Sequence, residues 1–125
     1  MKKSKKILAG VLATASMMSC MAMPTMAAGS PTCSGSANGV SYTGRASVYS
    51  DHGVASTTAS NPNMGIEAYV KFTSIFGEDV LVSENRVSGT TGIQTAVAFS
   101  KGGRAESAYG QHAGVGWSDT TIEYY

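Results

Sequence analysis

The chain has 125 residues, of which 42% are hydrophobic and 14% are charged, and its formal net charge is +1. This length allows one domain, or two at most. The hydrophobic residues are unevenly placed, because six of the seven Met and two of the three Leu precede Gly29. That distribution excludes one uniform globular domain, and after Gly29 no apolar run is long enough to span a bilayer.

The N-terminal segment has the organisation of a secretory signal peptide. Four lysines lie within the first six residues, residues 7–23 carry no charge, and the segment ends in Ala27-Ala28. We predict that residues 1–28 are a signal peptide, cleaved after Ala27 or Ala28. The early lysines and the absence of acids are typical of Gram-positive export, so we expect a secreted, extracellular bacterial protein.

The two cysteines leave alternatives open. Cys20 follows Met-Met-Ser, a poor version of the bacterial lipoprotein box, so lipid anchoring through Cys20 is a lesser alternative to release. After cleavage Cys33 is the one cysteine left, and it cannot form an internal disulfide. We expect an inert thiol, with pairing to another chain as the alternative. The domain must then be held together by packing.

The composition after Gly29 favours strands and excludes a general affinity for nucleic acid. Loss of the four N-terminal lysines leaves five basic residues against eight acidic ones, a net charge of about −3. The segment holds one Leu against nine Val and four Ile, together with 24 Ser and Thr. Residues that are β-branched favour strands over helices.

The elements follow in chain order. Residues 29–38 are predicted to be a flexible linker before one domain at 39–125. Alternation of apolar and polar residues then predicts strands at 40–48, 66–73, 80–82, 93–99, 105–115 and 117–125. Turn signals lie at 51–53, 61–63, 77–79, 88–90 and 101–104, and the last, with two Gly, predicts a tight hairpin.

The alternation also assigns faces to the strands. Ile66, Ala68, Val70 and Phe72 share one face, and Tyr69 lies on the other. Ile93, Thr95, Val97 and Phe99 share a face in the same way. Six or seven short strands separated by turns predict an all-β fold, a small antiparallel β-sandwich after the signal peptide.

The sequence contains no recognisable catalytic or metal-binding motif. There is no phosphate-binding Gly loop, no zinc-type Cys/His spacing and no nucleophile elbow. Ser50-Asp51-His52 is not a preformed triad, because neighbours in a strand point to opposite faces. A triad assembled across strands and a metal pair of His52 with His112 stay open as alternatives. We expect no enzyme activity, no metal and no cofactor.

The aromatic residues and histidines are the candidates for a binding surface. Exposed Tyr and Trp on a sheet often mark a binding face. The alternative is that these rings cap the ends of the sandwich. The candidate binding residues are Tyr49, His52, Tyr69, Tyr109, His112 and Trp117.

Two stretches resemble the lactococcin-type secreted bacteriocins. They are Ser47-Val48-Tyr49-Ser50-Asp51-His52-Gly53 and the aromatic end Thr120-Thr121-Ile122-Glu123-Tyr124-Tyr125. Residues 107–114 match the first motif almost as well, and the chain lacks the Trp-containing start of that family. The C-terminal half also resembles uncharacterised small secreted proteins of clostridia, a likeness that implies no function.

The bacteriocin resemblance implies a small β-sandwich that kills other bacteria without catalysis. The partner that it implies is a component of the cell envelope, such as a cell-wall precursor. We therefore expect a bacteriocin-like antagonist. The alternative is a secreted or cell-surface structural or adhesive module without antibacterial activity. A small hydrolase is the third hypothesis.

Overall fold

The computed structural model describes residues 29–125, and these residues form eight β-strands and no helix. The predicted signal peptide and Cys20 lie outside the described residues. The strands are β1 (Thr32–Ala37), β2 (Val40–Val48), β3 (His52–Ala59), β4 (Ile66–Phe76), β5 (Asp79–Gly89), β6 (Ile93–Phe99), β7 (Arg104–Gly114) and β8 (Trp117–Tyr124).

The eight strands form two four-stranded antiparallel sheets packed as a sandwich. Sheet 1 has the order β1-β2-β3-β6, and sheet 2 has the order β5-β4-β7-β8. This confirms the predicted all-β antiparallel sandwich. None of the residues that the structure describes belongs to a helix long and apolar enough to cross a membrane.

The structure has eight strands where six to seven were predicted, and two of them, β1 and β3 (His52–Ala59), lie outside the predicted strand ranges. Residues 32–37 were expected to lie in a flexible linker, but they pair with β2 over the whole length of β1. Ala37 pairs with Val40, so Asn38 and Gly39 form a two-residue turn with φ angles of 55° and 77°. Both residues are at positive φ, as a type I′ hairpin requires. The linker prediction is therefore wrong for β1.

The remaining connections are of two kinds, hairpins within a sheet and crossovers between the sheets. Two-residue turns join β2 to β3, β4 to β5, and β7 to β8 within one sheet. The chain changes sheets between β3 and β4, between β5 and β6, and between β6 and β7. Residues 101–104 therefore do not close a hairpin as predicted, because β6 and β7 belong to different sheets. The oxygen of Gly102 in this crossover accepts a hydrogen bond from Ser74 Oγ at 2.7 Å.

The core lies between the sheets and consists largely of small residues. Its largest apolar side chains are Phe72, Ile66 and Val70, which lie on the face of β4 that the sequence alternation predicts to be buried. Alanines of both sheets surround Phe72 and Val70, at positions 55, 68, 96, 98, 105 and 108. A side chain at Gly53 would have its Cβ 2.9 Å from Ala108 Cβ and 3.0 Å from the Phe72 ring. The small residues thus let the sheets approach closely around Phe72.

Candidate functional site

The structure distributes the six candidate binding residues over four places. Tyr49 and His52 lie together on the outer side of sheet 1, and Tyr69 and Tyr109 lie on the outer side of sheet 2. His112 lies inside the sandwich, and Trp117 joins the two sheets at one end. The sequence candidates therefore do not form one site.

Tyr49, His52 and Phe99 form an aromatic row on the outer side of sheet 1. The rings of Tyr49 and His52 are stacked, with centroids 4.5 Å apart and an interplanar angle of 13°. Phe99 packs against His52 from the next strand, at a centroid distance of 5.6 Å. Tyr49 is 48% exposed and Phe99 is 67% exposed. Both outer members of the aromatic row are therefore accessible to a ligand.

The backbone of the β2–β3 hairpin holds the aromatic row in place. Tyr49 N donates to His52 O at 2.9 Å, and this bond closes the turn at Ser50-Asp51. His52 then pairs with Phe99 in the ladder between β3 and β6. Asp51 Oδ1 accepts a hydrogen bond from His52 Nδ1 at 2.7 Å, which orients the imidazole ring. The site is thus built on paired strands.

Tyr69 and Tyr109 are already engaged by their neighbours on sheet 2. The Tyr69 hydroxyl donates to Glu84 Oε1 at 2.7 Å, and the guanidinium of Arg86 lies 4.6 Å from the centre of the Tyr69 ring. Lys71 Nζ lies 5.7 Å from the centre of the Tyr109 ring. Burial and the Glu84 contact raise the pKa of Tyr69. These contacts engage the Tyr69 hydroxyl and place a cation near each of the two rings.

His112 is fully buried, which corrects its assignment to the surface. It projects from β7 into the interior and is hydrogen-bonded on both ring nitrogens, Nδ1 to Thr57 Oγ1 and Nε2 to Thr121 Oγ1, each at 2.8 Å. Thr57 belongs to sheet 1, and His112 and Thr121 belong to sheet 2. His112 therefore links the two sheets. Its inward direction agrees with strand alternation, because Tyr109 and Gln111 point outwards and His112 has the opposite parity.

The hydrogen bonds of Thr57 define which nitrogen of His112 carries the proton. The Thr57 hydroxyl donates to Glu67 O at 2.8 Å, so its oxygen is left to accept from His112. Nδ1 then carries the proton, and Nε2 accepts from the Thr121 hydroxyl. Burial lowers the pKa of His112 to about 4, so the imidazole is neutral at neutral pH. Both nitrogens are occupied by the fold and are not offered to a substrate.

Trp117 stacks on Tyr42 of the other sheet. The ring centroids are 4.1 Å apart and the planes differ by 4°. Trp117 begins β8 and Tyr42 lies in β2, so the pair spans the two sheets next to the turns at Asn38-Gly39 and Val115-Gly116. Trp117 therefore caps the end of the sandwich, as proposed from the sequence as the alternative to a binding face.

Cys33 is half-buried on the inner side of β1. Burial and the nearby Asp119 carboxylate raise the pKa of its thiol to about 12. The nucleophilic form of cysteine is the thiolate, which this environment disfavours. Within residues 29–125 no group of three or more His, Cys, Asp or Glu is arranged to hold a metal ion.

The outer side of sheet 1 next to the aromatic row is rich in hydroxyl groups. Alternation in the four strands turns nine Ser and Thr outwards, and we call this set the hydroxyl face. One hydrogen bond within it joins Ser56 Oγ to Thr95 Oγ1 at 3.2 Å. The strands of sheet 1 carry no carboxylate, and Arg45 is their one Lys or Arg. The hydroxyl face consists of Thr32, Ser34, Ser36, Ser41, Thr43, Ser47, Ser56, Thr58 and Thr95.

Sequence reasoning missed Phe99, Thr57 and Thr121. Phe99 shares a face with Ile93 and Val97, and that face points outwards, because Ala96 and Ala98 fill the interior. The sequence shows Phe99 alternating with Ala96 and Ala98, but local alternation does not say which of the two faces is buried. No local pattern marks Thr57 and Thr121, since their role depends on a histidine distant in sequence.

The described residues form a small antiparallel β-sandwich whose sheet 1 displays the aromatic row beside the hydroxyl face. No protein-family model, curated protein sequence or solved structure matches the chain. The site itself therefore carries the functional assignment.

Proposed function

We propose that the protein is a small secreted bacterial antagonist that binds a component of the cell envelope of other bacteria without catalysis. The observation that carries this proposal is the exposure of Tyr49 and Phe99, at 48% and 67%, where hydrogen-bonded strands hold them beside His52. Exposed aromatic anchors on a rigid scaffold are typical of binding surfaces. The core of the sandwich does not need either ring for its own packing.

The environments of the reactive groups support binding rather than catalysis. His112 is neutral and hydrogen-bonded on both sides by Thr57 and Thr121. The Cys33 thiol is kept protonated by burial and by Asp119. The environments of His112 and Cys33 therefore oppose general base and nucleophilic work.

The test is growth inhibition of a panel of Gram-positive strains by the purified secreted protein. We expect inhibition or septation defects by the wild type, and loss of the effect in the double variant Tyr49→Ala, Phe99→Ala. The matched control is Phe76→Ala, which removes an exposed ring (65% exposed) at the β4–β5 turn. Equal inhibition by all three proteins would contradict the aromatic row as the active surface.

A secreted structural or adhesive module is the second candidate function. The hydroxyl face favours it, because it extends across all four strands of sheet 1 and carries little charge. Such a module would bind envelope material without harming the cell. Binding to intact cells with unchanged growth across the whole panel would therefore decide for the adhesive module and against the antagonist.

A further inference from the structure

We propose that the outer side of sheet 1 binds an uncharged glycan chain, with the aromatic row stacking on sugar rings and the hydroxyl face bonding to sugar hydroxyls. The inference deepens the proposed function by naming the class of envelope ligand. It rests on that function only for the location of the ligand at a bacterial surface.

The distribution of charge selects an uncharged ligand. Seven of the eight acids lie in sheet 2 or its β4–β5 turn, and the eighth, Asp51, is paired with His52 at the end of sheet 1. Among the strand residues of sheet 1, Arg45 is the one Lys or Arg, and its Nε is directed to Ser47 Oγ at 3.4 Å. A surface with so few charges offers no pairing to a polyanion or a polycation. Its polar groups are almost all hydroxyls.

The hydroxyl face is suited to a partner that is itself covered with hydroxyl groups. A Ser or Thr hydroxyl both donates and accepts, as a sugar hydroxyl does. Ser34, Thr43 and Thr58 are exposed and belong to one row across β1, β2 and β3. Neighbouring strands lie about 4.8 Å apart, and residues on one face of a strand about 7 Å apart. The array therefore offers repeated contacts along an extended chain.

The aromatic row supplies the apolar part of the contact. A pyranose ring has a face of C–H groups that packs on an aromatic ring, and such packing adds to the hydrophobic gain. The aromatic row and the hydroxyl face occupy the same outer surface, because Ser47 and Tyr49 alternate with inward-facing residues of β2 and so point outwards together. Val54 and Val97 pair between them, next to His52 and Phe99. A chain lying along the strands would contact rings first and hydroxyls next.

The test is binding of the secreted protein to insoluble chitin and cellulose and to the soluble oligomers chitohexaose and cellohexaose. We expect binding to at least one of these neutral glycans. Tyr49→Ala, Phe99→Ala should weaken it about tenfold or more. Thr43→Val, Thr58→Val should weaken it as well, since it removes two exposed hydroxyls while keeping β-branched side chains in the strands. Phe76→Ala is the control and should bind as the wild type does.

The outcomes separate this proposal from the antagonist function. Binding that is lost in both sheet 1 variants and kept in Phe76→Ala supports the glycan site. Failure to bind any of the four glycans, with growth inhibition retained, overturns the glycan site and leaves the antagonist in place. Glycan binding that is unchanged in both sheet 1 variants overturns the site. If the protein does not inhibit growth, but its glycan binding is lost in both sheet 1 variants, only the antagonist function is overturned.

Discussion

The imidazole of His112 occupies the space that a side chain at position 44 would need. A Cβ at Gly44 would lie 2.5 Å from His112 Cδ2 and 2.8 Å from Cys33 Sγ. A Cβ at Gly110 would also be too close to this hydrogen-bonded group, because it would lie 2.7 Å from Thr121 Oγ1. Two glycines therefore make room for one buried polar side chain that joins the sheets.

Gly44→Ala should destabilise the protein by about 1–3 kcal/mol, because overpacking would displace a hydrogen-bonded ring. Gly92→Ala is the matched control, since nothing lies within 4 Å of its Cβ position. Urea denaturation of both variants measures the difference. A Gly44→Ala protein as stable as Gly92→Ala would show that His112 is not held against β2.

His112 should also make the stability depend on pH. The folded pKa of about 4 lies below the ordinary 6.5. The unfolded chain binds a proton as the pH falls through about 6.5, and the folded chain does not until about 4. Stability contributed by the neutral ring is therefore complete above about pH 6.5 and is lost by about pH 4, on the order of 3 kcal/mol.

Denaturation at about pH 7.5 and about pH 4.5 tests this prediction. The wild type and His52→Gln should lose more stability between these pH values than His112→Gln does. If His112→Gln does not fold, an NMR titration of the wild-type His112 ring replaces it. A pKa near 6.5 for that ring, or equal losses in all proteins, would contradict the prediction.

At the scale of elements, the sequence predicts the strands better than their partners. The face of β4 that carries Phe72 follows from strict alternation, and it is buried as predicted. The turn at residues 101–104 looks like a hairpin because two Gly follow a strand. Whether a turn joins neighbours or crosses between sheets depends on long-range packing, which a local pattern does not contain.

The turn after β1 predicts a hairpin, whereas the composition of β1 is typical of a linker. Thr32–Ala37 contains no large apolar residue, so it resembles a linker. Asn38-Gly39 is nevertheless the strongest short hairpin signal that a sequence can carry. The aromatic row was half predictable: Tyr49 and His52 are adjacent to one turn, whereas Phe99 joins them only through the β3–β6 ladder.

Gly39→Val should weaken β1, because a β-branched residue at a φ of 77° is strained. The expected cost is about 1–3 kcal/mol. Asn38→Gly should be tolerated, since Gly accepts the φ of 55° at that position. Hydrogen exchange of the β1 and β2 amides measures the effect. Unchanged protection of β1 in Gly39→Val would contradict the type I′ hairpin.

At the scale of the whole molecule, charge is separated between the sheets. Sheet 2 and its β4–β5 turn hold seven acids, and the strands of sheet 1 hold none. Asp119 of sheet 2 faces the interior opposite Tyr42 and Cys33. On the outer side, Glu67 is paired with Arg86, and Glu84 accepts a hydrogen bond from Tyr69. The outer side of sheet 2 therefore carries paired charged groups, whereas that of sheet 1 carries mainly hydroxyls.

Binding through sheet 1 should be nearly independent of salt. Interactions between exposed charges are screened as ionic strength rises, and contacts of rings and hydroxyls are not. The affinity for a bound glycan should change less than about twofold between about 50 mM and about 500 mM NaCl. A steep loss of affinity over this range would place the binding on the charged side of the molecule.

The most direct test of the central claim is an NMR titration of the isotope-labelled secreted protein with chitohexaose and cellohexaose. The glycan proposal predicts that one of these oligomers shifts the amide signals of Tyr49, His52 and Phe99 and of the hydroxyl face. The signals of Tyr69 and Tyr109 should stay in place. The largest shifts at Tyr69 and Tyr109, or no shift with either oligomer at millimolar concentration, would contradict it.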